Sequence, residues 1–128
     1  MDDQLSITQE QFEVIVAEAI DAIPERYARR LENVAFVTAD APTQEQRDKM
    51  HLRHYETLFG LYEGIPQVAR GANYSMVLPD KITIFKLPLT SASRNLDELR
   101  ERTRKTVWHE VAHHFGLDHD QIHQLGGS

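Results

Sequence analysis

The stretch HEVAHHFGLDH, residues 109–119, constrains the fold more than any other part of the chain, because its spacing asks for a helix at one end and a sharp turn at the other. On a helix, residues four apart differ by about 40° of rotation and one turn of rise, so His109 and His113 project from one face toward a common point. Glu110 lies about 100° round from His109. It is too far round to complete that ligand pair but close enough to reach a water on a metal held there, the position of a general base. Gly116 falls just after His113, where a helix ending in a left-handed residue commonly places glycine. The chain can then turn back so that His119 supplies a third nitrogen and a fourth position stays open to water, the arrangement of a catalytic rather than a structural zinc. HExxH alone is a weak signal, and Gly116 and His119 in register with it make the pattern far more specific.

Such a helix needs a core to pack on. The chain has 128 residues, 41% of them hydrophobic and 27% charged, which suits one globular domain spanning 1–128. With no cysteine there can be no disulfide and no thiolate ligand, so a metal must be held by His, Asp or Glu. The net charge is -6 and no run of Lys and Arg is free of interleaved acids, which argues against a nucleic-acid partner. The opening MDDQLSITQE has neither the basic start nor the apolar run of a signal peptide. No segment approaches bilayer-spanning length and no lipidation signature is present, so a cytoplasmic location without membrane association is the expectation.

Phe12, Ile15, Val16, Ala19, Ile20 and Ile23 recur at helical spacing, predicting an amphipathic helix over residues 9–23. Thr8 with Gln11 gives it a capping-box start, and Pro24 ends it or restarts a short helical piece. VAFVTAD predicts a strand over residues 34–38. The polar stretch 40–56 has no sustained apolar period and reads as a mobile loop or an exposed helix, able to cover a cleft or bind a partner. TLFGLYEGIP and YSMVLPDKITIFKLPL hold two or three short strands, of which KITIFKL is the clearest. In it Ile82 and Ile84 alternate with Thr83 and Phe85, so one face would pack on helices. The last helix starts near Asn95 or Asp97 and runs to Gly116. Its first half carries opposite charges at helical spacing, such as Glu98 with Arg102 and Glu101 with Lys105, which mark a solvated face. Val107, Trp108, Val111, Ala112 and Phe115 place its second half in the core.

The remaining histidines read differently. His114 points about 140° away from His109 and is expected to make a core hydrogen bond. His51, His54 and His123 read as surface residues. Asp118 and Asp120 flank His119 and can cap a short terminal helix, orient a ligand imidazole or replace His119 as ligand, with capping the default.

With these residues in view, the chain resembles a known family. The elongated zinc-binding pattern is similar to that of the metzincin branch of zinc metallopeptidases. The short length, with the motif near the C-terminus, resembles the small bacterial zincin-like metallopeptidases, whose segments look like LFGLYEGIP, LPDKITIFKLPL and VWHEVAHHFGLDHDQIHQLG in order. The resemblance implies an α+β minimal zincin fold, a small mixed sheet packed against a long N-terminal helix and a C-terminal active-site helix. It implies zinc held by His109, His113 and His119, with Glu110 catalytic. Larger metzincins carry a methionine turn after the third histidine, and none of residues 120–128 is methionine.

The reaction expected is peptide-bond hydrolysis, with Glu110 taking a proton from a zinc-activated water and passing it to the leaving amine. Tyr62, Arg70 and Tyr74 are candidates for oxyanion help, though each reads more readily as a packing or surface residue. KITIF, as an edge strand, is a candidate to bind a peptide or protein substrate by strand addition. Two alternatives stand beside this reading: a catalytically weak or inactive metal-binding module acting in protein–protein interaction, and a hydrolase of small amides.

Overall fold

A computed structural model of the chain describes residues 5–64 and 79–116. The first helix, α1 (Gln9–Asp21), begins on the capping box: Thr8 Oγ1 accepts from the Gln11 N–H at 3.1 Å and Gln11 Oε1 accepts from the Thr8 N–H at 2.8 Å. Its buried stripe is Phe12, Ile15, Val16 and Ala19. Ile23 is buried too, but the helix stops two residues before it. The residue ahead of a proline is disfavoured in helical geometry, and Pro24 has no N–H to continue the ladder. A single turn, α2 (Glu25–Ala28), follows and sets the Tyr27 ring against Trp108 and Phe115, at centroid distances of 5.2 and 5.4 Å.

Strand β1 (Val34–Ala39) matches the predicted strand with one further residue. Within the polar stretch 40–56 the structure has an exposed helix, α3 (Gln44–Lys49), started by a second capping box of Thr43 and Gln46. His51 ends it with φ 56, in the left-handed region, while the Leu52 N–H reaches the Arg47 carbonyl at 3.0 Å. The imidazole there is exposed, as a surface residue. Gln46 also donates to Glu63 at 3.1 Å, which ties α3 to the sheet.

Strands β2 (Gly60–Glu63) and β3 (Asp80–Phe85) complete a three-stranded sheet of order β1-β3-β2, with β1 parallel and β2 antiparallel to β3. KITIF is therefore the central strand and not an edge. Both of its ladders are occupied, and Ile82, Thr83, Ile84 and Phe85 are all buried. The strand also ends sooner than KITIFKL suggests, because Lys86 opens a helix, α4 (Lys86–Ala92). Pro88 falls in the first turn of that helix, where its missing N–H breaks no helical hydrogen bond. Residues 74–78 of YSMVLPDKITIFKLPL lie outside the described residues, and with them any third strand of the two or three expected in these segments.

The last helix, α5 (Leu96–His114), is capped by Asn95, whose Oδ1 accepts from the Glu98 N–H at 2.9 Å. It packs beside α1, and Leu99, Val107, Trp108, Val111 and Ala112 join Phe12, Ile15, Val16, Ile82 and Ile84 in one core. Burying each of these larger side chains contributes about 1.5–3 kcal/mol, and this fixes the rotation of α5 about its axis. The result is the expected α+β arrangement: a small mixed sheet under an N-terminal and a C-terminal helix. No helix among the described residues is long and apolar enough to cross a membrane.

Candidate metal centre

The core sets which face of α5 is left over for chemistry. With Val107, Trp108, Val111 and Ala112 turned inward, His109 is half-buried and His113 is exposed, one turn apart on the other side of the helix. Their ring centroids lie 4.4 Å apart. One ligand atom from each of His109, Glu110 and His113 lies within 4.8 Å of the other two. Two imidazoles this close suit a divalent metal of zinc's borderline character, and the carboxylate beside them is near enough to meet a water on such a metal. Gly116 closes the helix with φ 75, the left-handed turn the spacing called for. His119 lies outside the described residues, as do Asp118, Asp120, His123, Arg70 and Tyr74.

Glu110 is the buried member, with 7% of its surface exposed. Its Oε1 accepts the backbone N–H of Tyr62 at 3.0 Å and lies 3.3 Å from His113 Nδ1. Burial pushes its carboxyl above the usual carboxylate range, while His113 and the Tyr62 N–H pull the other way less strongly.

The Tyr62 N–H is available because of strand register. Phe85 donates to the Phe59 carbonyl at 2.9 Å, which makes residues 59 and 85 a hydrogen-bonded pair. Gly60 and Tyr62, opposite Ile84 and Ile82, are then non-hydrogen-bonded positions whose backbone groups point away from β3. Glu110 takes the donor this outer edge presents.

The approach of β2 to α5 depends on Gly60. A β-carbon there would meet Thr106 Cγ2 at 2.8 Å and Glu110 Cγ at 3.2 Å. We expect Gly60→Ala to push β2 from α5, cost about 1–3 kcal/mol and lengthen the Tyr62–Glu110 bond. Denaturant unfolding, together with amide hydrogen exchange at Tyr62, checks this; an unchanged midpoint and unchanged protection at Tyr62 would exclude it.

The side chain of Tyr62 is engaged elsewhere than at an oxyanion. Its hydroxyl donates to Asp80 Oδ2 at 2.9 Å and its ring stands 5.7 Å from the His114 ring. His114 is packed away from the face that carries His109 and His113, as its angle on the helix indicates, but the core hydrogen bond expected of it is not made at Nδ1. That atom is buried without a hydrogen-bond partner among the described residues, 3.4 Å from Asp80 Oδ2. His54 is exposed, and neither it nor His51 joins the cluster.

Two contributors escape sequence reasoning. The Tyr62 N–H is a backbone donor with no residue-type signature. Gly60 has one, in that a lone glycine inside a strand marks a close approach of another element, but its partner on α5 lies in a distant part of the sequence. Beside the cluster runs a groove of about 390 Å³ between residues 57–60 and the flank of α5, reaching His109 and Glu110.

Comparison with known proteins adds one match. The model of a family described as zincin-like metallopeptidase covers residues 31–128, which includes β1, the sheet and the whole of HEVAHHFGLDH. No curated protein matches the sequence.

Proposed function

The chain belongs to the zincin-like metallopeptidase family, and from that membership and the clustering of His109, Glu110 and His113 we propose that it hydrolyses peptide bonds with zinc held by His109, His113 and His119. Bound there, zinc would supply Lewis acidity toward a water and the substrate carbonyl. Glu110 moves the proton. Its Oε1 is occupied by the Tyr62 N–H and His113, which leaves Oε2 to accept a proton and return it to the leaving amine. The Tyr62 N–H fixes the carboxylate plane, so Glu110 need not reorient between accepting and donating. The groove along α5 gives an extended peptide or protein substrate a place to lie.

The observation that carries this reading is the three-residue cluster on α5. Its test is elemental mass spectrometry on protein purified without a metal-affinity tag, followed by a peptide library assayed with and without a chelator. About one zinc per chain and chelator-sensitive cleavage are expected. Stoichiometric zinc with no cleavage of peptides or small amides would replace the hydrolase with a metal-binding module.

A further inference from the structure

The groove beside Glu110 has a cationic wall whose acid partners on the same helix are shared with other arginines. Arg102 and Lys105 line it on the α5 side. Glu98, the acid within reach of Arg102, is held by Arg94 at 3.0 Å from Nε and 2.9 Å from a terminal nitrogen, and approaches Arg102 only to 3.9 Å. Glu101 is held in the same way by Arg104, at 3.0 and 2.7 Å, and approaches Lys105 only to 3.7 Å. The Arg102 Nε–H is buried with no acceptor among the described residues. Glu110, at the reacting end, is the only acid among the described residues lining the groove. On a chain of net charge -6 the wall is a local reversal of sign, and a groove with low-dielectric walls concentrates its field.

We propose that Arg102 and Lys105 select peptides carrying an acidic side chain two to three residues from the bond that is cleaved. This rests on the peptidase reading above and names the substrate class of that site. The spacing follows from the helix. Lys105 and Arg102 precede His109 by four and seven residues, about 6 and 10 Å along the axis, and an extended peptide advances about 3.3 Å per residue. The planar guanidinium matches a carboxylate with two parallel hydrogen bonds, and the ammonium adds charge without demanding geometry.

The test separates binding from turnover. Zinc-loaded Glu110→Gln protein is titrated with labelled peptides identical except for Glu or Lys at one scanned position, and binding is read by fluorescence anisotropy. At one such position the Glu peptide is expected to bind about tenfold more tightly than its Lys counterpart, with the difference shrinking as salt is added. Adding Arg102→Glu with Lys105→Glu should abolish or invert the preference, and Arg102→Gln with Lys105→Gln serves if the reversal unfolds the protein. Arg100→Glu, on the opposite flank of α5 beside Glu18, should keep it. Equal binding of Glu and Lys peptides at every position, or a preference that survives both double variants, overturns the proposal. The same peptides are then offered to the zinc-loaded wild type. Charge-dependent binding without cleavage would sink the peptidase reading and leave the acid-selective groove standing, whereas cleavage blind to charge would do the reverse.

Discussion

Glu110→Gln is expected to lower kcat by about 10²–10⁴-fold, the usual contribution of a positioned general base, while leaving zinc content unchanged. The amide has the same shape, and its oxygen still accepts the Tyr62 N–H that now holds Oε1 at 3.0 Å. What it loses is the ability to take a proton. The same substitution should leave the metal-free protein as stable as wild type or more so at neutral pH. Glu110 is buried and its carboxyl is pushed above the ordinary range, so the folded state binds its proton more tightly than the unfolded chain does. The corresponding stability is fully present below the unfolded carboxyl value and is lost as pH rises through the folded one. At neutral pH wild type therefore bears the burial of a charge that the amide does not have. Chelated wild type and variant, unfolded in denaturant across the acid-to-neutral range, should diverge in the variant's favour as pH rises. A variant that kept wild-type turnover would remove Glu110 from the chemistry.

His113→Ala is expected to abolish zinc binding and with it activity, without harming the metal-free fold. Its side chain is 41% exposed and outside the core, so truncation leaves no buried cavity. Zinc that binds only the folded chain adds about 2.7 kcal/mol at a hundred times its Kd, which for a domain of this size moves Tm by on the order of 10 °C. A chelator should therefore lower the Tm of wild type by about that amount and leave His113→Ala where it was. His54→Ala, at an exposed imidazole outside the cluster, should behave as wild type. Equal zinc content in wild type and His113→Ala would show that the metal, if bound, sits elsewhere.

How much of this was legible beforehand depends on how local each cause is. The boundaries of α1 and α5 come from side chains three or four residues apart, as with Thr8 and Gln11 or Asn95 and Glu98, and such signals are complete within a short window. The left-handed Gly116 is equally local. KITIF was harder to place. An alternating apolar strand can sit at an edge or in the middle of a sheet, and its neighbours, Val34–Ala39 on one side and Gly60–Glu63 on the other, come from distant parts of the chain. The helical start at Lys86 was obscured because a proline reads as a breaker, whereas in a first turn it breaks nothing.

The sequence alone determined that His109 and His113 share a face with Glu110 beside them, since that follows from the 3.6-residue turn wherever the helix is placed. Only the tertiary structure decided what surrounds them. Helix α5 rotates to bury Val107 and Val111, strand β2 meets it at Gly60, and the antiparallel register turns the Tyr62 N–H outward onto Glu110. The same packing puts Arg102 and Lys105, which in sequence are two more charges on a solvated face, along the wall of the groove. The physical reason is range: helix geometry acts over four residues, while desolvation, strand register and the field in a groove are set by groups that meet only when the chain is folded.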